Sequence, residues 1–502
     1  MANSDDSPVL VFGLAGQVGV GCSFVRDKLV QTLATYGYTA LPIDITKSFL
    51  VDAAYKEQVA STQVVSKIEE ANALIEEAER QFLQSFPTEG KRIVELQRRG
   101  NEMREAQGAE VLARLCVSHV IAHDIGDGSK RVAYVIDSLK HPKEVEYLRG
   151  VFREAFFMVG VVASDARRRE RMRERKHIDS GEFDRLSQVD GAEGVAHGQS
   201  AIKTVLNADY FIRNDHDTKN EVGPEVERVL QLLFDVGINT PTLDENGMHH
   251  AWTAALRSGC LSRQVGASIL TVDGNVVSVG WNDVPCFGGG LYRQGKPPDR
   301  RCWTMGAKCY NDDEKAQLVD QIVSQFVQDD RFKDLGQAVR EVLSSSAIRN
   351  ITEYTRAVHA EMDAILAAAR SASGGLVGST LYVTDYPCHN CAKHIICAGL
   401  ARVVYYQPYE KSRARKLHPD AINDPLTEPS PSKVTFDIYG GVAPHRYQDL
   451  FRMKQPRKSK GTFIDRDRTR NALLPACVEP MKEVLARVKG EATREDHNGR
   501  EN

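Results

Sequence analysis

The chain is 502 residues long, too many for one hydrophobic core, so at least two domains are expected. Its 65 basic and 68 acidic residues leave a formal net charge of −3, which excludes a global pull toward nucleic acid or anionic membrane and leaves partners to local patches. Ten cysteines spread thinly over this length exclude the dense disulfide framework of a small secreted domain and point to metal or thiol roles. No apolar run is long enough to span a bilayer, and MANSDDSPVLVFG lacks the basic start and cleavage site of a signal peptide, so a soluble, cytoplasmic protein is expected.

From Val9 the chain reads as alternating strands and helices. VLVFGLAG predicts a buried strand feeding a glycine loop, and FVRDKLVQTLATYG has helical spacing at Phe24, Leu29 and Leu33. Further apolar runs at TALPIDI, RVAYVIDSL, AFFMVGVVAS and ADYFIRND predict a parallel sheet with helices on both faces. The loop GQVGVGCS, Gly16 to Ser23, has the spacing of a phosphate-binding loop, in which glycines let backbone N–H groups close around phosphate oxygens. Cys22 stands where lysine belongs, so a transferring phosphoryl group would lack its cation. Gly16, Gly19, Gly21, Cys22 and Ser23 are therefore the candidate nucleotide-binding residues. Asp137, ending VAYVID, is placed to join Ser23 on a Mg2+ ion. Binding fits this loop better than turnover, and a tight turn without a ligand is the plainer alternative.

Over roughly its first two hundred residues the chain resembles the P-loop nucleoside and nucleotide monophosphate kinase fold, in which RRRERMRERK, Arg167 to Lys176, would be a lid over phosphates. As a charge pattern the same helix reads equally as a solvated face or as an RNA contact. KIEEANALIEEAERQF carries Ile68, Ala71, Ile75, Ala78 and Phe82 at the spacing of a packed seam, for core or for contact between copies, and a homo-oligomer is expected. Turn residues in VGINTPTLDENG place a linker over 237–248, after a first domain at 8–236.

The second domain is expected over 249–455, with an insertion at about 284–355, followed by a charged tail at 456–502 whose end reads as disordered. MHHAWTAALRSGC predicts a helix; QVGASILTV and NVVSVGWN predict a hairpin turning at Asp273 and Gly274. TEYTRAVHAEMDAILAAARS predicts a helix, and TLYVTDYPCHNCAKHIICAGLARVVYY predicts strand, loop, helix and strand. HAE, Glu361 closing it, precedes PCHNC by twenty-five residues. That pairing matches the H-x-E…P-C-x-x-C signature of zinc-dependent base deaminases. His359, Cys388 and Cys391 are then three zinc ligands with a fourth position left for water, and Glu361 is the catalytic proton carrier. A closed structural zinc using His389 or His394 is the alternative, disfavoured because it would not need HAE. Cys286, Cys302 and Cys309 offer a second zinc set, but without an apparent fourth ligand reduced cysteines are the favoured reading.

RQVGASILTVDGNVVSVGWNDVP, VHAEMDAI, TLYVTDYPCHNCAKHIICAGL and VVYYQPYEKS together resemble the deoxycytidylate deaminase family over roughly 249 to 420. The resemblance implies a cytidine deaminase-like α/β/α domain that converts dCTP or dCMP to deoxyuridine nucleotides, with Asn282 contacting sugar and base. Tyr386 is placed to pack on the pyrimidine or equally in the core. Arg257, Arg263, Arg293, Arg300, Arg301, Lys411 and Arg413 are basic candidates for substrate phosphates. The fusion of a degenerate P-loop domain to such a deaminase resembles bacterial anti-phage dCTP deaminases, which implies nucleotide depletion during infection, with a regulatory nucleotide or small RNA as partner. Two other functions stay open: cytidine editing in RNA or single-stranded DNA, using the basic helix and RMKQPRKSKGTFIDRDRTR, and a nucleotide kinase carrying a structural zinc domain.

Overall fold

The computed structural model describes residues 9–50, 86–122, 131–191, 198–215, 219–371, 375–409, 412–423 and 430–466. The expected seam at Ile68 to Phe82, Lys411 and the end of the charged tail lie outside them. No helix among the described residues is long and apolar enough to cross a membrane.

The chain divides into two compact units, Met1–Pro241 with Gly440–Asn502, and Thr242–Tyr439. In the first unit the apolar runs become strands β1 (Val9–Gly16), β2 (Thr39–Asp44), β3 (Val132–Leu139), β4 (Phe156–Val162) and β5 (Tyr210–Arg213). They pair in parallel in the order β2, β3, β1, β4, β5. β1 and β4 are buried almost throughout, as strands covered on both faces must be. Because β1 continues the sheet to β3 on one side and β4 on the other, the loop leaving its carboxyl end lies at a topological switch point, where open α/β sheets place ligands. The helix Cys22–Thr35 follows that loop and buries Val25, Leu29 and Leu33.

The second unit holds β6 (Gly266–Leu270), β7 (Val276–Trp281), β8 (Thr380–Asp385), β9 (Arg402–Gln407) and β10 (Thr435–Ile438), in the order β10, β9, β8, β6, β7. β8, β9 and β10 are parallel, and β6 runs antiparallel to both β7 and β8. Two glycines let helices lie close on the sheet. A Cβ on Gly266 would come within 2.0 Å of the Ala251 carbonyl oxygen, and one on Gly280 within 2.3 Å of the Ala364 nitrogen. Gly266 pairs with Trp281, the strand neighbour of Gly280, so the two glycines face opposite sides. The helices Leu243–Ala255 and Ala360–Arg370 thereby sandwich the sheet. The insertion contributes two helices of its own, Tyr310–Phe326 and Gly336–Ser345, packed on each other.

Three boundaries differ from the sequence reading. The helix expected from Met248 begins at Leu243, inside the expected linker, because Thr242 and Glu245 form a capping box: Glu245 N–H donates to Thr242 Oγ1 at 3.2 Å, and Thr242 N–H to Glu245 Oε2 at 2.8 Å. The helix expected from Thr352 begins at Ala360, with His359 in extended backbone as its N-cap. The second unit closes at Tyr439 and not near 455, because Gly441–Val442, strand β11, pairs antiparallel with β5 and returns the chain to the first sheet.

Gly280→Ala should destabilise the protein by about 1–3 kcal/mol, the usual cost of forcing atoms into a packed interior. The new methyl would meet helix backbone at Ala360 and Ala364, which cannot rotate away. Urea unfolding measures the effect, and an unchanged midpoint would mean that the helix bearing His359 and Glu361 slides freely.

Candidate functional site

Two helix N-termini build the centre of the second unit. His359 is the N-cap of Ala360–Arg370, Cys388 is the N-cap of His389–Cys397, and Cys391 lies in that helix's first turn. The unsatisfied N–H groups and positive dipole ends of such turns favour thiolate. The Asp283–Val358 bridge, closed by Val358 N–H to Asp283 O at 2.9 Å, fixes the chain one residue before His359. β8 delivers Cys388 through Tyr386 and Pro387, with Tyr386 N–H bonded to Gln407 O at 2.8 Å.

His359 Nδ1 lies 3.4 Å from Cys388 Sγ and 3.3 Å from Cys391 Sγ, and the three donor atoms fall within 4.8 Å of one another. A tetrahedral zinc with Zn–N of about 2.0–2.1 Å and Zn–S of about 2.3 Å sets N···S near ~3.5 Å, so the donors fit that ion. The Cys388 thiol is pulled down to about 4, first by its hydrogen bond with Cys391 and then by His359. Among the described residues no other His, Cys, Asp or Glu joins this set. His389 faces Glu353 at 3.6 Å, and neither it nor His394 is in the donor set, so neither completes a closed site.

Glu361 is buried, 4% exposed, and its carboxyl is pushed up to about 7 by that burial. It hydrogen-bonds Cys391 and acts electrostatically on His359. Asn282 directly precedes the Asp283 bridge. Its Oδ1 accepts from Val265 N–H at 2.7 Å and its Nδ2 donates to Arg263 O at 3.0 Å. One lone pair and one N–H of the amide remain beyond these bonds. The Tyr386 ring packs on Tyr405 at 4.8 Å and on Phe436 at 5.5 Å, in the core role the sequence allowed beside substrate contact.

The basic candidates have other neighbours. Arg257 and Arg293 stack over the Trp281 ring at 3.6 and 5.2 Å and act electrostatically on Asp363 of the helix Ala360–Arg370. Arg301 is buried against Asp299 at 2.6 Å, and Arg263 bonds Asp385 at 2.9 Å. The second cysteine set is not assembled as the sequence suggested. Cys302 and Cys309 line one cavity with Cys260, while Cys286 donates to Gly289 O in its own turn. None of these cysteines is in a disulfide.

In the first unit Gly19 and Gly21 both adopt φ of +86°, which only glycine takes without strain, and a Cβ on Gly16 would come within 2.9 Å of Val161 O. Burial raises the Cys22 thiol well above its ordinary pKa, so the lysine position carries a neutral side chain. Ser23 Oγ donates to Asp137 Oδ2 at 3.0 Å. Arg26 bonds the same carboxylate at 3.3 Å and Asp44 at 2.9 Å. A guanidinium thus already pairs with Asp137, the carboxylate offered for Mg2+.

The basic helix Asp165–Lys176 turns two of its arginines inward. Arg168 Nε donates to Val18 O at 2.8 Å and Arg171 Nη1 to Val20 O at 3.1 Å, and both side chains are buried. Asn214 Nδ2 donates to Val20 O at 2.7 Å. Lys140 Nζ reaches Gly16 O at 2.7 Å. Neither Lys140 nor Asn214 was legible as a loop residue, since no local motif marks them. The only signal was that each closes a predicted strand of the parallel sheet, where ligands gather.

Residues 241–407 match the family model of the cytidine and deoxycytidylate deaminase zinc-binding region. The deoxycytidylate deaminase of Enterobacteria phage T4 is 30% identical over 167 residues, spanning 32% of this chain and 77% of the phage protein. A dCMP deaminase from the cyanophage S-TIM5, solved with dCMP and dUMP, is 19% identical, with 40% of this chain and 99% of that one covered and a TM-score of 0.23. The Mycobacterium tuberculosis APS kinase solved with AMPPNP and APS is 13% identical, with 45% of this chain and 98% of that one covered and a TM-score of 0.25.

Replacing Cys388 by alanine should abolish zinc retention, while Glu361→Gln should keep it, because only the first removes a donor. Metal content of the purified proteins by mass spectrometry checks this. Equal zinc in both would exclude Cys388 as a ligand.

Proposed function

We propose that this chain, which belongs to the deoxycytidylate deaminase family, removes the 4-amino group of deoxycytidine nucleotides by hydrolysis, releasing ammonia and a deoxyuridine nucleotide. The observation that carries the reading is the buried Glu361 carboxyl beside His359, Cys388 and Cys391. His359, Cys388 and Cys391 would hold a zinc ion, which when bound would lower the pKa of a water toward neutrality. Glu361 takes one water proton on its carboxylate and delivers it to ring N3 as the water oxygen bonds to C4; it then takes the proton of the new C4 hydroxyl and passes it to the amino nitrogen, which leaves as ammonia as the C4–N bond breaks and the C4 carbonyl forms. Burial of the centre keeps bulk water from competing for those protons.

Asn282 is assigned to the sugar and base of the substrate. Its spare lone pair and N–H support that assignment, and its two backbone bonds hold the amide in one orientation. The free nucleotide dCTP is proposed as a substrate beside dCMP. Fusion to a P-loop-like unit supports a role in depleting deoxycytidine nucleotides during phage infection, carried out in the cytoplasm. The first unit is proposed to bind a nucleotide and to regulate the deaminase. Its loop at the switch point, with Gly16, Gly19, Gly21 and Ser23, supports binding, and the neutral Cys22 argues against phosphoryl transfer.

Glu361→Gln should lower kcat by about 10²–10⁴-fold, the usual contribution of a positioned proton carrier, with little change in KM. Zinc-loaded protein is incubated separately with dCMP, dCTP, CTP and a single-stranded oligonucleotide, and cytosine is resolved from uracil products. Conversion of the free deoxynucleotides is expected. Conversion of the oligonucleotide alone would replace this reading by polynucleotide editing, and full activity in Glu361→Gln would remove the proton carrier.

A further inference from the structure

The glycine loop of the first unit already holds an anion, and the chain itself supplies it. Asp190, in the last turn of the helix Ser180–Gly191, is 1% exposed. Its Oδ2 accepts the Val18 N–H at 2.6 Å, and its Oδ1 accepts Lys140 Nζ at 2.7 Å. Lys140 also donates to Gly16 O at 2.7 Å, so one ammonium joins the start of the loop to the carboxylate. A phosphate-binding loop offers a phosphate oxygen those same two things, a backbone N–H and a cation.

Lys140 is held for this by its neighbours. Its N–H and that of His141 both donate to Glu144 Oε2, at 2.8 and 3.0 Å, in the capping box of the helix Pro142–Phe152. Glu144 is fully buried and paired with the buried Arg104 at 2.8 Å. The end of β3 is therefore rigid, while the lysine side chain, 20% exposed, can turn. The helix of Asp190 meets the loop through Val18, which packs against Phe183 and Leu186, and through polar bonds. Arg168 links it to Val18 O by also donating to Ser187 Oγ at 3.0 Å, and it lies over the Phe183 ring at 5.3 Å.

We infer that Asp190 is an internal latch on the Gly16–Ser23 loop: its carboxylate fills the phosphate position, and a nucleotide phosphate binds by displacing it and taking over Val18 N–H and Lys140. Lys140 then serves as the phosphate cation that Cys22 cannot be. The inference rests on the reading that this loop binds a nucleotide, and it adds how the site is kept shut. Displacement frees the end of the helix Ser180–Gly191, because the carboxylate that tied it to the loop must leave for water. Nucleotide binding is thereby converted into loosening of a helix, a two-state element that both ligand and latch bias.

The test uses the full chain, with ATP and pyrophosphate as probes in isothermal titration. Asp190→Asn keeps the side-chain shape and removes the charge, so ATP should bind at least about tenfold tighter than in the unaltered protein. Lys140→Met should bind at least about tenfold more weakly. Hydrogen exchange on the unaltered protein gives a second reading that needs no substitution. Saturating ATP should protect 16–24 and speed exchange across 180–191. ATP binding that Asp190→Asn leaves unchanged, or protection of the loop with no change in 180–191, would overturn the latch and leave the nucleotide site standing. Failure of every form to bind ATP or pyrophosphate would overturn both.

Discussion

Three donor atoms from separate turns of chain must meet within 4.8 Å, and the architecture of the second unit is arranged around that requirement. Neither helix brings more than its own end to the meeting. His359 stands before one helix and Cys388 before the other, so both helices point their positive ends at the same place. Close approach of the first helix depends on Gly280, which has no side chain to hold Ala360 and Ala364 away. The second is delivered by β8, a central strand paired with both β6 and β9. Rigid elements on both sides explain how a two-residue step from His359 to Glu361 becomes a fixed distance between donor set and proton carrier.

The first unit has the opposite economy. Its loop has lost the cation that phosphoryl transfer needs, yet the surroundings have kept it ordered: Lys140, Arg168, Arg171 and Asn214 all donate to its carbonyls. Positive charge has moved from the loop itself to the elements around it. Asp137, the carboxylate that a metal would use, is paired with Arg26. A neutral side chain at the lysine position suits the proposed binding of a nucleotide better than phosphoryl transfer.

The strands and the donor set were legible because their signals are local: continuous apolar runs gave the strands, and H-x-E with C-x-x-C gave His359, Glu361, Cys388 and Cys391. What stayed hidden depends on distant pairs. Asp190 and Val18 are brought together only by the folded helix Ser180–Gly191, and Arg168, read as part of a phosphate lid, a solvated face or an RNA contact, is buried against that loop. Cys260 was not grouped with Cys302 and Cys309, since the cavity they share exists only after the insertion packs. The start of the helix at Leu243 was different, because T-L-D-E is a local capping signal that turn-rich flanking sequence concealed. Asn282 shows a further limit: a side chain whose first duty is to hold Val265 and Arg263 looks the same in sequence as one free to face a ligand.

The return of β11 to the first sheet bears on how the protein is made. Gly441 pairs with Phe211, so the outermost strand of the first sheet leaves the ribosome only after the whole second unit has been synthesised. Until then β5 is an open edge, with unpaired backbone groups able to recruit another chain. The intervening unit has continuous sequence from Thr242 to Tyr439 and its own sheet, so it can condense first and shorten the gap that β11 must close. Nascent chains stopped before Gly441 therefore carry a complete metal centre beside an unfinished sheet, and ribosome pausing in this stretch becomes a point at which aggregation competes with folding.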